Sequence, residues 1–178
     1  MKDFKSHVVY LLSLVSLCFS AHGQSIFYPD LATDIEKAKV VIVINKAKNK
    51  ATSGQKMDVY SHGQYLHTFD VSTATQGLKI APGLKIHFTN TPKGYFRPTR
   101  IYRDYQSALW TGASMNFAIF FIGGVAIHAT VPSLFAELGS RDSGGCVRLH
   151  PDHAQTLYEL TLTSGSPKYQ IEDQSITY

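Results

Sequence analysis

Short runs of β-branched and aromatic residues, separated by closely spaced turns, constrain the fold of this chain more than any other feature of its sequence. Such runs lie at positions 39–44, 56–60 and 65–72, and a longer apolar stretch at 116–127 is broken by two glycines. Strand-length segments at this spacing are typical of sheets that pack as a sandwich or close into a small barrel. We therefore predict a mainly β, sandwich-like domain with one or two short helices.

One helix is predicted near the C-terminus. Pro151 suits the first position of a helix, and Asp152 complements the positive end of the helix dipole. Apolar residues at positions 154, 157, 158 and 160 give this segment one apolar face. The residues at 171–178 are predicted to form a last strand.

The N-terminus has the features of a secretory signal peptide. A basic start precedes an apolar run from Val8 to Phe19, and Ala21-His22-Gly23 follows as a small-x-small cleavage site. The apolar run is too short for a comfortable membrane span. A lipoprotein signal at Cys18 is the alternative, but the bulky Leu17 before it disfavours that processing.

The rest of the chain suits one domain. We predict a signal peptide over 1–23, a lead-in over 24–38 and a single domain over 39–178, with no transmembrane segment after signal cleavage. The formal net charge of +4 is mild, and no block of Lys and Arg is present, so nucleic acid is not an expected partner. The predicted location is the periplasm, and a Gram-positive wall is the alternative that composition leaves open.

The chain has two cysteines, and Cys18 falls inside the predicted signal peptide. Cys146 is then alone and has no partner for an internal disulfide. A lone thiol in an oxidising compartment is either buried and inert or kept for its chemistry. The residues around Cys146 favour chemistry.

Cys146 follows His128 by eighteen positions. A thiol nucleophile with a histidine base is the pair that cysteine acyl-transfer enzymes use. His128 ends an apolar, strand-like run, so its imidazole is expected to project from a rigid edge. We predict Cys146 as the nucleophile and His128 as the general base and acid.

The flanking residues suggest further roles. The small residues Gly144 and Gly145 leave their amides, with that of Cys146, free to form an oxyanion hole. In an extended segment Arg148 lies on the same side as Cys146, where it would hold a thiolate, receive a substrate carboxylate or form only a structural ion pair. Ser143 either orients the site through its hydroxyl or serves simple turn chemistry.

These residues resemble the catalytic motif of the L,D-transpeptidase (YkuD-type) domain family. In that family a histidine in an Ile-His-Gly-Thr-like run precedes Ser-x-Gly-Cys-[Ile/Val]-Arg. The matching segments here are Ile127-His128-Ala129-Thr130 and Ser143-Gly144-Gly145-Cys146-Val147-Arg148-Leu149, with upstream similarity at Thr91–Phe96, Asp58–Thr73 and Met115–Phe121. The resemblance covers roughly Lys39 to Leu162.

Two departures from the family motif matter. Ala129 replaces the usual Gly or Ser, but the resemblance assigns the orienting of the imidazole to that residue's backbone carbonyl, which alanine retains. Gly144 stands where many members carry His, Ser or Arg, so any substrate contact made there is absent and the acceptor stays open. The resemblance also implies substrate-binding roles for Arg148 and Thr130.

The resemblance implies a β-sandwich-like catalytic domain that acts on peptidoglycan stem peptides. Cys146 would attack the carbonyl before the terminal D-alanine of a tetrapeptide and form an acyl-thioester, with His128 moving the protons. An amine acceptor on a neighbouring stem gives a 3→3 cross-link, a lipoprotein lysine gives anchoring, and water gives L,D-carboxypeptidase trimming. A catalytically silent wall-binding domain is the remaining alternative. No metal or organic cofactor is implied.

Two other clusters have less specific interpretations. His150 and His153 suggest a metal site only weakly, because two histidines lack a third ligand nearby; a surface at the helix start is the plainer interpretation. Arg97, Arg100 and Arg103 alternate with aromatic residues. They form either a lid that contacts substrate carboxylates or glycan faces, or a solvated segment whose aromatic residues face the core.

Overall fold

The computed structural model describes residues 38–47, 54–83, 85–110, 112–164 and 168–172. The predicted signal peptide, and the predicted lead-in up to residue 37, lie outside these residues. Within the described ranges, no helix has the length and apolar character needed to span a membrane.

In these ranges the chain forms eleven strands, one α-helix and one 3-10 helix. The strands are β1 Val40–Asn45, β2 Lys56–Ser61, β3 Gln64–Asp70, β4 Leu78–Ala81, β5 Lys85–Phe88, β6 Gly94–Phe96, β7 Arg100–Tyr102, β8 Ala118–Ile122, β9 Val125–Ala129, β10 Val147–Leu149 and β11 Lys168–Glu172. The 3-10 helix is Pro132–Glu137, and α1 is Pro151–Ser164.

The strands form three sheets. The largest has the order β3-β2-β1-β11-β6, the second has the order β10-β9-β8-β7, and β4 and β5 form a separate hairpin. Two pairings are parallel, β1 with β11 and β9 with β10. Isolated bridges join Ser72 to Arg148 and Ala74 to Ser143, so the segment after β3 lies beside β10 and the loop before it.

The core lies between the two larger sheets and under α1. Side chains alternate between the two faces of a strand, and the apolar ones face inward. Ile42 and Ile44 of β1 and Ile119 and Ile127 of the second sheet are almost completely buried in one cluster, which also contains Leu157 of α1. The predicted mainly β, sandwich-like fold is confirmed.

The opposite face of the second sheet holds a smaller apolar cluster. Ala118, Phe120 and Ala126 are buried there with Met115, and the Cys146 side chain packs against them. Because alternation places Ile127 and Ala129 in the main core, His128 between them faces this second side. The outer face of β8, β9 and β10 is therefore the surface that can form one side of a functional site.

Local signals predicted some boundaries well and others poorly. The helix begins at Pro151 as predicted. The last strand is Lys168–Glu172 and starts before the predicted 171–178; residues 173–178 lie outside the described ranges. The β4–β5 hairpin is not predicted from the sequence, because its strands have only four residues, are hydrogen-bonded to neither larger sheet and leave Ile80 and Ile86 about two-thirds exposed.

A core substitution and a surface substitution of the same type are expected to differ sharply. Ile42 is fully buried, whereas Ile80 is 65% exposed. We predict that Ile42→Ala lowers the free energy of unfolding by about 2–5 kcal/mol. Ile80→Ala, the control, should change it by about 0.5 kcal/mol or less. Urea unfolding followed by circular dichroism measures both, and equal effects would contradict the proposed core.

Candidate active site

The parallel pairing of β9 and β10 sets the geometry of the site. Arg148 lies opposite His128 in this register, and the Ala126 N–H donates to Cys146 Sγ at 3.4 Å, which extends the contact one step before β10. Cys146 directly precedes β10, two residues before Arg148, so it lies diagonally across from His128 and on the same face of the sheet. With a rise of about 3.3 Å per residue and a strand spacing of about 4.8 Å, their Cα atoms are about 8 Å apart. Facing side chains can span that diagonal.

His128 is held in its neutral form. Its Nδ1 lies 2.8 Å from the Ala129 carbonyl oxygen. A carbonyl only accepts, so Nδ1 carries the hydrogen and Nε2 is the basic nitrogen. Burial lowers the pKa of His128 from 6.5 to about 4; the bond to Ala129 opposes this shift, and the charge of Arg148 adds to it. The imidazole is therefore uncharged near neutral pH.

Cys146 is a free, partly buried thiol. Its Sγ accepts from the Ala126 N–H and lies 3.9 Å from the Gly124 carbonyl oxygen. Burial raises the pKa of Cys146 above 9.0, although the Ala126 bond and the charge of Arg148 both act to lower it. Among the described residues, no hydrogen bond joins the sulfur to the His128 ring. The resting pair is thus a neutral thiol and a neutral imidazole. A thiolate held by Arg148, one of the three roles that the sequence left open, is not the resting state.

The loop that carries Cys146 is fixed by hydroxyl groups. Ser143 is buried, donates to the Cys146 carbonyl oxygen at 2.5 Å and accepts from the Gly145 N–H at 3.2 Å. Thr91 donates to the Gly145 carbonyl oxygen at 2.7 Å. Gly145 has a φ of +146°, which side-chain-bearing residues rarely adopt. The Ser143 hydroxyl therefore closes the turn, and the Gly145 amide, one of the predicted oxyanion donors, already has a long hydrogen bond.

Arg148 is anchored by an ion pair that the sequence did not identify. Its Nη2 donates to the Asp142 carboxylate and lies 3.4 Å from Ser72 Oγ. Lys79 Nζ lies 3.5 Å from the same carboxylate. Burial alone would raise the pKa of Asp142, but the hydrogen bond and charge of Arg148, together with Lys79, lower it below 3.8. Asp142 is therefore ionised and holds the guanidinium beside the cavity.

Thr130 directly follows β9. Its N–H donates to the Leu149 carbonyl oxygen at 2.7 Å. Its hydroxyl is buried and has no hydrogen-bond partner among the described residues, and the same holds for Arg148 Nε. Both side chains border the cavity described next.

The predicted site residues converge on one cavity of about 840 Å³. Its volume lies in the range typical of small-molecule and peptide sites. Cys146, His128, Arg148, Thr130 and the loop glycines line it, while Ala129 faces the core behind. Much of the remaining wall is apolar and includes Tyr105, Leu109, Trp110, Met115, Val131 and Leu134.

Two clusters had less specific interpretations: the histidines His150 and His153, and the arginines Arg97, Arg100 and Arg103. Of these residues, only Arg100 borders the cavity. The His153 ring stacks on Phe69 with centroids 4.3 Å apart. In the part of the chain that the structure describes, no group of three or more His, Cys, Asp or Glu is placed to bind a metal ion. The Arg100 guanidinium lies 4.7 Å over the Phe120 ring.

Comparison with known proteins identifies the family. The L,D-transpeptidase catalytic domain (YkuD) matches residues 39–169. The chain therefore belongs to the L,D-transpeptidase catalytic domain family, as its motifs predict. The comparison with curated proteins finds no match.

Solved structures of this class have the same fold. An L,D-transpeptidase from Mycobacterium smegmatis aligns with a TM-score of 0.56 at 19% identity, over 76% of this chain and 59% of that one. The enzyme from Xylanimonas cellulosilytica gives 0.60 at 18%, over 75% and 60%. L,D-transpeptidase 3 from Mycobacterium tuberculosis, solved with a faropenem-derived adduct, gives 0.53 at 16%, over 76% and 60%. The chain thus spans about three-fifths of the length of these structures.

The raised pKa of Cys146 predicts slow alkylation near neutral pH. The pH midpoint for iodoacetamide labelling of the folded protein should lie above 9.0, the ordinary value for this thiol. The matched control is the same cysteine in the urea-unfolded chain, where burial is lost and the ordinary midpoint should return. Mass spectrometry of peptides separates Cys146 from Cys18. A folded-state midpoint below the unfolded one would contradict the neutral resting thiol.

Proposed function

We propose that this chain is an exported L,D-transpeptidase that transfers the acyl group of peptidoglycan tetrapeptide stems through a thioester on Cys146. One observation carries the proposal: Cys146 and His128 occupy one face of two paired strands and border one cavity, in the fold of this family.

The acylation step follows from the resting protonation states. As Sγ attacks the carbonyl before the terminal D-alanine, His128 Nε2 takes the thiol proton, and a C–S bond forms. The C–N bond then breaks while His128 returns the proton to the departing amine, so that D-alanine leaves neutral at nitrogen. Because both groups begin uncharged, the thiolate and imidazolium form only when Sγ turns toward the ring with substrate present.

The negative oxygen of the tetrahedral intermediate needs hydrogen-bond donors. We assign this role to the backbone amides of Cys146, Gly144 and Gly145, which lie on the loop beside the sulfur. The Gly145 amide is 3.2 Å from Ser143 Oγ, a long bond that a substrate oxygen can replace at low cost. One such donor is typically worth about 3 kcal/mol of transition-state stabilisation.

Substrate binding is assigned to Arg148 and Thr130. Arg148 is a fixed cation, and Asp142 holds it at the cavity wall, which suits a carboxylate of the stem peptide. The Thr130 hydroxyl is buried without a partner among the described residues. A peptide group bound in the cavity would supply that partner, and such a contact removes the cost of an unsatisfied polar group.

The acceptor decides the product. An amine on a neighbouring stem gives a 3→3 cross-link, and a lipoprotein lysine gives protein anchoring. The apolar wall of the cavity favours an amine carried on an aliphatic chain. The second candidate is an L,D-carboxypeptidase, in which water attacks the thioester; the sequence leaves it open because Gly144 carries no side chain to contact an acceptor.

The location is proposed from the N-terminal sequence. The basic start, apolar run and cleavage triplet within 1–23 support export. The substrate class requires contact with the wall, and the periplasm meets that requirement. Mature protein that retains residues 1–23 in a cell fractionation would argue against this part of the proposal.

The first test follows products from a purified disaccharide-tetrapeptide. Wild-type protein should release D-alanine and form cross-linked dimers, both detectable by mass spectrometry. Cys146→Ala should abolish both, and His128→Gln should lower the rate by about 10² or more. Matched urea midpoints show that the variants are folded. Folded wild-type protein that gives no D-alanine, dimers or tripeptides would refute the proposal.

The pH profile gives an independent test of the base. His128 must be neutral to accept a proton, and its pKa is about 4 instead of 6.5. We predict that kcat/KM stays on its plateau through pH 6.5 and declines only as the pH falls toward 4. An acidic limb centred near 6.5 in stopped-assay measurements would contradict the lowered pKa.

A further inference from the structure

Gly144 is covered by a tryptophan. A Cβ added to Gly144 would lie 2.8 Å from Cζ2 of Trp110 and 2.9 Å from its Cε2 and Nε1. Real Cβ atoms do not approach ring atoms this closely, so the indole lies directly on the Gly144 backbone. Gly144 is absent from the residues with positive φ. The close approach of the indole, and not the backbone conformation, is therefore what requires glycine here.

Hydrogen bonds of the backbone fix the turn that carries Trp110. The backbone N–H of Trp110, not its indole N–H, donates to Ser107 Oγ at 3.0 Å. The Trp110 carbonyl oxygen accepts from the Ala113 N–H at 2.8 Å. The Ser107 N–H donates to the Ala113 carbonyl oxygen at 2.9 Å and closes the turn. This turn connects β7 to β8, so the indole reaches from one edge of the second sheet to the loop that carries Cys146 at the other.

The indole forms a wall of the cavity next to the nucleophile. Trp110 is only partly buried, and Trp110, Gly144 and Cys146 all border the same cavity. Leu109 and Leu134 extend the apolar surface on that side. Water that approaches a thioester on Cys146 from this direction would have to displace or pass the ring. A ring plane also offers a surface on which an aliphatic chain packs.

We propose that Trp110, seated on Gly144, is a specificity-determining residue that directs the Cys146 acyl-thioester to an amine instead of water. The inference rests on the proposed function. In transfer, the acceptor nitrogen attacks the thioester carbonyl, the C–S bond breaks, His128 takes a proton from nitrogen, and that proton returns to the sulfur. In hydrolysis, water oxygen attacks the same carbonyl and the product is a tripeptide carboxylate. Trp110 favours the first route because it excludes water and supports the chain that carries the amine.

The test measures two quantities in one reaction with disaccharide-tetrapeptide: total D-alanine released, which reports acylation, and the ratio of dimer to tripeptide, which reports partition. In Trp110→Ala the ratio of dimer to tripeptide, measured at equal D-alanine release, should fall at least tenfold. Trp110→Phe, which keeps an aromatic ring, should recover most of the ratio. D-alanine release with an unchanged ratio in Trp110→Ala would overturn the inference, whereas no release by wild type would instead refute the proposed function.

Gly144→Ala tests the contact from the other side. Its methyl group must displace the indole, so the ratio should fall as it does in Trp110→Ala. In the Trp110→Ala background the same substitution meets no ring and should have little further effect. Gly77→Ala is the matched control, because its Cβ would meet only Thr75 Oγ1 at 3.9 Å. Additive effects of the two substitutions would count against a shared mechanism.

Fluorescence provides a readout that does not depend on turnover. Trp110 is the only tryptophan of the chain, so its emission reports this contact directly. Gly144→Ala should increase acrylamide quenching of the folded protein, whereas Gly77→Ala should not. If Trp110→Ala fails to fold, Gly144→Ala and Trp110→Phe decide the matter. Increased quenching with a lowered ratio in Gly144→Ala supports the inference, and a wild-type ratio in Gly144→Ala despite increased quenching overturns it.

Discussion

The parallel pairing of β9 with β10 is the constraint on which the rest of the site depends. It joins two segments that are far apart in sequence and fixes which residues share a face. Side chains alternate along a strand, so a slip of one residue would turn Arg148 and Cys146 into the core. Ile127, Val147 and Leu149 prevent this slip, because they fill the main core from the opposite face. The packing of the sandwich therefore aligns the site.

The electrostatics of the site favour a proton transfer that occurs during the reaction. Burial shifts both groups toward their neutral forms, lowering the pKa of His128 and raising that of Cys146. Arg148 favours a thiolate on Cys146 but opposes an imidazolium on His128, so its two effects on proton transfer between them act in opposite directions. Asp142 further offsets its charge. We therefore propose that Arg148 binds a substrate carboxylate instead of activating the thiol.

Local sequence signals predicted those secondary-structure features that depend on residues close together in the sequence. The helix start at Pro151, the strand that carries His128 and the turn around Gly145 each depend on neighbouring residues. Contacts between distant segments were not predictable in this way. Nothing in the sequence around Asp142 distinguishes it from other loop residues. Its role depends on the fold, which places Arg148 and Lys79 beside its carboxylate. Gly144 was recognised as unusual, but its partner, Trp110, lies thirty-four positions earlier in the chain. Nothing in either local sequence indicates that contact.

The proposed chemistry requires the Cys146 sulfur to reach His128 Nε2, although no hydrogen bond joins the two at rest among the described residues. The most direct test is cross-linking with 1,3-dibromoacetone, which alkylates a thiol and then a second nucleophile within reach of its three-carbon bridge. Peptide mapping should find Cys146 joined to His128 in wild type and only a single-ended Cys146 adduct in His128→Gln. If wild type also gives only the single-ended adduct, or joins Cys146 to another residue, the account is contradicted.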